Sequence, residues 1–461
     1  MAIYSDSGFE TGRDLPSIRP TLDLNFAATK TLDRRITFTR DSIGTYTDEL
    51  GIIRTVPNNV PRFDHDPETG ESLGLLIEEQ RTNLFTFSAF PQSTTTSFPS
   101  FWAGWNPATF LTSQTLSPDG VAYGIFHGSV NTNGGGLRRE MTGLTPGGTY
   151  YVTYYVKGLT AEELTYFTNN NAIGTTTGTA NGAANVAWFA ATKVQFACNN
   201  LNGTGASGSY QTTLTTEWQR FGGVVIADSA GSARIIIGNN VGDVGTGDED
   251  GGGTWMIWGA QLELGSFPTS YIPTSGSTVT RNKDIAVIKG TNFTDVFDTN
   301  FKEFSLLVDY DNSKTNDGTY YEIINFWGES TGFDDRIGIQ KDDQSPYHIE
   351  TRAFGGGGGI FNNGLLSASS KAATQKFATS WSVPDYSNTT SRRWAFCFSG
   401  ETPIDVVNDG GGTTVPAITR LGLGINPTRL VETETGGLIH FKRFAAYNKA
   451  LTDTQLQSLT S

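Results

Sequence analysis

Residues 35–84, RITFTRDSIGTYTDELGIIRTVPNNVPRFDHDPETGESLGLLIEEQRTNL, restrict most tightly what this chain can fold into. Two strand-like pieces, Ile36-Thr-Phe-Thr and Gly74-Leu-Leu-Ile-Glu, are separated by turn-rich polar residues. The stretch therefore offers many backbone hydrogen-bonding groups and few apolar side chains to bury. It is too short to be a domain and must lie along something else: the two β-rich regions that follow it, a neighbouring copy of the chain, or a larger particle. We read it as a docking element. Upstream, Asp14-Leu-Pro-Ser-Ile-Arg-Pro20 cannot be helical, because each proline forces the residue before it into an extended conformation. Leu22, Leu24 and Phe26 then alternate with Asp23 and Asn25, the period-two pattern of a strand with one apolar face. Residues 1–84 are expected to form an extended N-terminal arm that docks through Leu22, Leu24, Phe26, Ile36 and Phe38.

The remainder reads as strand and turn. A length of 461 residues suggests two or three domains at about 150 residues each. With 55 glycines and 12% aromatics, the composition is that of an ordered, turn-rich chain. β-Branched and aromatic runs start at Tyr150, Trp218, Ala233 and Thr254, and again at Phe304, Tyr320, Arg393, Arg420 and Leu438. Ser275-Gly-Ser-Thr-Val-Thr-Arg is small and polar and reads as a linker. The expected fold class is all-β: the arm, then two β-sandwich (jelly-roll) domains at 85–275 and 276–461. A short C-terminal helix should begin at Asp453, with Thr452 and Gln455 as a capping box and Leu451 and Leu456 as a hydrophobic staple.

The runs Ile36-Thr-Phe-Thr-Arg-Asp-Ser-Ile-Gly-Thr-Tyr and Asn59-Val-Pro-Arg-Phe-Asp-His-Asp-Pro, continuing to Leu84, resemble a segment common in tailed-bacteriophage virion proteins of the head-spike or tail-fibre type. That resemblance implies that a carbohydrate-binding-module-like domain comes next. The run from Trp258 to Gly276 is similar to the last strand and exit of such jelly rolls in phage fibres. The third region resembles a concanavalin-A-like (laminin-G-type) sandwich, most of all in Phe441-Lys-Arg-Phe-Ala-Ala-Tyr-Asn-Lys-Ala-Leu-Thr-Asp.

Several functions are disfavoured by the residues themselves. A net charge of -14, with no Lys/Arg cluster interleaved with aromatics, argues against nucleic-acid binding. No stretch approaches the roughly 18 apolar residues of a membrane span, and Met1 is followed by no basic and apolar export signal. Cys198 and Cys397 lie far apart within apolar strand patterns and read as two buried thiols. His65, His127, His348 and His440 share no metal-ligand or triad spacing. A glycosidase needs paired carboxylates, but Glu322 alternates with apolar Ile324 and Phe326, while Asp309 and Asp311 lead into a turn. No catalytic residues are assigned and no enzyme is expected.

Two binding features remain. Asp243, Asp248, Glu249 and Asp250 share a glycine-rich loop whose hard oxygen ligands suit a structural calcium, the one cofactor considered. Trp102, Trp105, Tyr347, Trp381 and Tyr386 lie in loop-like stretches and are the candidate sugar-stacking aromatics. The expected protein is a virion component assembled in the host cytoplasm. It would be a homo-oligomer, trimeric in one arrangement, attached through its arm to capsid, portal or tail and displaying sandwiches to host glycans. A capsid cement protein and a polysaccharide depolymerase are the alternatives.

Overall fold

The computed structural model describes residues 19–89, 102–105, 109–129, 135–170, 190–199, 206–239, 253–298, 300–311, 321–328, 335–341, 348–356, 358–367, 374–406, 410–425 and 437–461. The architecture is all-β with a short C-terminal helix, as the sequence predicts. Most strands form two sandwiches.

The larger sandwich has one sheet of eight strands and one of seven. The first runs from edge to edge through Ile404–Asp405, Arg393–Phe398, Thr374–Ser382, Glu303–Asp311, Leu438–Tyr447, Ser72–Glu78 and Phe63–His65, and Leu22–Asn25 also pairs with Leu438–Tyr447. The second runs through Ile36–Thr39, Ile285–Lys289, Ile418–Leu423, Tyr321–Gly328, Arg336–Lys341, His348–Gly355 and Gly358–Ser367. Strands from before residue 84 thus enter both sheets of the C-terminal domain.

This corrects the docking-arm expectation. Leu22, Leu24, Phe26, Ile36 and Phe38 are buried in one core with Phe304, Trp381 and Phe441 of the same chain. They are not available to a larger assembly. The physical reason is register: Leu22 pairs with Ala446, Leu24 with Phe444, Ile36 with Ile288 and Leu75 with Phe441. The period-two apolar faces of the ribbon find their complement in strands far away in sequence. Gly74 permits the closest of these crossings, since at φ +88° an added Cβ would fall 2.1 Å from the Phe441 carbonyl oxygen.

The smaller sandwich packs two five-stranded sheets. One contains Gln219–Ile226, Thr149–Lys157, Gly253–Leu264, Tyr123–Ser129 and Thr109–Leu116. The other contains Ala206–Thr213, Lys193–Asn199, Ala233–Asn239, Gly135–Met141 and Ala103–Trp105. Val152, Tyr154, Phe196, Ile235, Ile237 and Trp255 are among its core side chains. Its two ends meet in a neck, where Arg81–Asn83 pairs antiparallel with Val279–Arg281. The supposed linker therefore ends in a strand, and the smaller sandwich is inserted between two halves of the larger one.

The C-terminal helix spans Asp453–Thr460, with Thr452 and Gln455 in the expected reciprocal cap and Leu451 and Leu456 buried in one cluster. A second helix, Ala161–Asn170, was not predicted. Its signal is present as Thr160-Ala-Glu-Glu163: Glu163 N–H donates to Thr160 Oγ1 at 3.2 Å and Thr160 N–H to Glu163 Oε2 at 2.8 Å. Cys198 and Cys397 are buried, one in each sandwich.

Candidate functional site

The two sandwiches meet around a buried ionic cluster supplied largely by the ribbon and the neck. Arg62 Nη1 donates to Glu78 Oε2 at 2.6 Å and Arg62 Nη2 donates to Asp284, while Arg40 Nη1 reaches Asp284 Oδ1 at 3.1 Å. Arg281 Nε lies 3.4 Å from Glu78 Oε2, an ion pair without hydrogen-bond alignment. Ser270, at the exit of the inserted sandwich, donates its N–H to Glu78 Oε1 and its hydroxyl to Oε2, both at 2.7 Å. Burial alone would push the Glu78 carboxyl up. Arg281 and Arg62 outweigh it and hold the group well below the usual carboxylate range.

Above this cluster lies a cleft of about 730 Å³. One wall is the hairpin Gly44–Thr47/Ile53–Val56, anchored to the inserted sandwich by Ile53 N–H donating to Pro118 O at 2.8 Å and by Ile53 packing with Trp258 and Tyr271. Thr215 and Glu217 to Arg220 of the inserted sandwich also line the space, as do Asp64 and His65 of the ribbon. Interdomain clefts of this size are common ligand sites.

Trp218 lines the cleft together with Tyr46, Tyr155 and Tyr271. Its Nε1–H donates to Leu116 O at 2.9 Å, and its ring lies so close over Gly124 that a Cβ there would come within 2.8 Å of it. The ring is half-buried and fixed in orientation. Arg220 sits 5.7 Å over the half-buried Tyr155 ring and directs Nη1 to Thr269 O at 2.6 Å and Nη2 to Thr153 Oγ1 at 3.1 Å. His65 is buried, with Nδ1 3.1 Å from Thr47 O and no partner at Nε2. Asp64 accepts from Thr47 N–H at 2.7 Å and lies 2.9 Å from His440 Nε2.

The predicted aromatics are not assembled here. Trp102 is core, 5.1 Å from Phe85 between ring centroids. Trp381 lies in a strand of the larger sandwich, and its Nε1–H and the Tyr386 hydroxyl both donate to Phe301 O, at 2.8 and 2.7 Å. These three are removed from any sugar-binding face, because their rings are buried in the two cores. Trp105 belongs to the strand Ala103–Trp105. Tyr347, Asp243, Asp248, Glu249 and Asp250 lie outside the described residues. Among the described residues, no group of three or more His, Cys, Asp or Glu is arranged to hold a metal ion. Glu322 is buried and ion-paired with Arg336. Trp218 escaped the sequence reading because it opens a strand run, although the polar turn Thr215-Thr-Glu before it was a signal that it sits at an edge.

No protein-family description and no curated protein matches this chain. Solved structures show partial likeness. The CBM40 of the Ruminococcus gnavus IT-sialidase, bound to α2,3 sialyllactose, is 11% identical with a TM-score of 0.26, over 35% of this chain and 85% of that one. The family 22 carbohydrate-binding module of Clostridium thermocellum Xyn10B gives 13% and 0.26 over 41% and 97%. A SAP-like pentraxin from Limulus polyphemus gives 11% and 0.27 over 35% and 70%. Likenesses at this level assign no ligand.

Proposed function

We propose that this chain is a structural, adhesive protein of a tailed-bacteriophage particle that holds host-surface glycan in the cleft between its sandwiches and catalyses no reaction. One observation carries the adhesive part: a cleft of about 730 Å³ presents an orientation-locked Trp218 beside hydroxyl, amide and carboxylate groups, the combination that stacks on and hydrogen-bonds a pyranose. The virion assignment rests on the resemblance of residues 36–84. Binding would be weak per site and strengthened by a trimeric or higher assembly displaying many copies on capsid, portal or tail after assembly in the host cytoplasm. Catalysis is disfavoured by the pairing of Glu322 with Arg336 and of Glu78 with two arginines.

The test is a glycan array probed with intact protein and with Trp218→Ala, together with gold labelling of virions by an antibody to residues 279–461. Trp218-dependent glycan signal and label on particles are expected. Silence on the array with capsids that leak when the protein is deleted would favour the cement role, and release of reducing ends from host polysaccharide would establish a depolymerase.

A further inference from the structure

The charges around the cleft narrow the kind of sugar it can take, and this step rests on the adhesive reading above. We infer that the cleft selects uncharged hexose units and discriminates against uronic, sialic and phosphorylated sugars. Asp64, Glu68, Glu78 and Glu217 line it, against Arg220 as its lone lysine or arginine among the described residues. Glu78 is matched by Arg62 and Arg281, and Asp64 is held by Thr47 N–H and His440, which leaves the exposed Glu68 and Glu217 facing one guanidinium. Arg220 is itself turned inward, with both terminal nitrogens directed at protein oxygens. An incoming carboxylate therefore meets net negative charge and no arginine fork posed to receive it.

Full-length protein is tested by affinity electrophoresis at low ionic strength. The gels contain neutral polysaccharides (dextran, galactan, mannan) or acidic ones (polygalacturonate, colominic acid). Retardation by a neutral polymer, lost in Trp218→Ala, with acidic polymers at least about tenfold weaker, is the expected result. Replacing the exposed Glu217 by lysine (Glu217→Lys) should shift the acidic-to-neutral affinity ratio about three- to tenfold toward the acidic polymers. Acidic polymers that bind as tightly as neutral ones, in a Trp218-dependent manner, would overturn the charge selection and leave adhesion standing. Binding that survives Trp218→Ala would overturn both the site and its selectivity, and the absence of any retardation would overturn adhesion itself.

Discussion

If the ribbon is part of the larger sandwich, then a fragment of residues 279–461 cannot fold alone. Removing residues 1–83 strips Leu22, Leu24, Phe26, Ile36, Phe38, Leu75 and Ile77 from the core. At about 1.5–3 kcal/mol for each buried side chain, these seven represent about 10–20 kcal/mol, as large as the whole net stability of a domain at about 5–15 kcal/mol. The loss also bares the edge of Leu438–Tyr447 that Leu22–Asn25 and Ser72–Glu78 cover between them, and leaves Asp284 without Arg40 and Arg62. The companion variant makes the opposite cut: residues 19–83 joined to 279–461 by a short Asn-Gly turn. Asn83 and Val279 are already cross-strand partners, so a two-residue hairpin can close the neck. Near-ultraviolet circular dichroism and urea unfolding should show a cooperative transition for the joined halves and none for 279–461. A sharp transition in the isolated 279–461 fragment, with the aromatic signal of the full chain, would refute the reasoning and restore the detachable arm.

Three further outcomes follow from buried groups. His127 is fully buried between Phe110 and Trp255, and burial pushes its imidazole down to about 3 from 6.5. The unfolded chain binds the proton first, so this residue makes stability fall as pH drops below about 6.5, by about 2 kcal/mol at pH 5. His127→Leu should flatten that loss for the inserted sandwich in urea titrations at pH 7.5 and 5. Replacing Arg62 by methionine (Arg62→Met) removes the guanidinium shared by Glu78 and Asp284, leaving Glu78 with Arg281 and Asp284 with Arg40, and should cost about 3–5 kcal/mol in chemical denaturation at neutral pH. The deficit should shrink under acid: the depressed Glu78 group gives stability that is present above its ordinary 4.5 and lost as pH falls further. Gly74→Ala should cost about 1–3 kcal/mol or more, because it adds both positive-φ strain and a clash with the Phe441 carbonyl, whereas Gly143→Ala, also at positive φ but with open space around it, should cost only the strain; thermal melts separate the two.

What was legible in the sequence was local. The run Tyr150-Tyr-Val-Thr-Tyr-Tyr-Val-Lys becomes the strand Thr149–Lys157, and the cap at Thr452 begins its helix where expected, since both depend on residues within a few positions of one another. The alternation at Leu22–Phe26 was also read correctly as one apolar face. Its partner was not, because nothing near it in sequence distinguishes a strand that pairs with Ala446 and Phe444 from one that pairs with a foreign sheet. The site was least legible. Loop aromatics such as Trp381 and Tyr386 share flanking serines and prolines with exposed binding residues, yet one backbone carbonyl, that of Phe301, captures the polar tips of both and turns them inward. The charged positions Arg40, Arg62 and Glu78 lie up to 244 residues from the groups they meet, a spacing that periodicity and turn signals do not encode.

The place of Leu438–Tyr447, flanked by Glu303–Asp311 on one side and Ser72–Glu78 on the other, imposes a timetable on synthesis. Asp23 and Arg443, which face each other across the same sheet, are separated by 420 residues, so at about 5–20 residues per second the first waits about 20–80 s for the second to leave the ribosome. The inserted sandwich has all its strands by then and can close on its own. Its completed body sits at the waist of an unfinished outer domain, holding Arg81 beside the place where Arg281 will arrive, so that translation itself delivers the two distant halves of the nascent chain to each other.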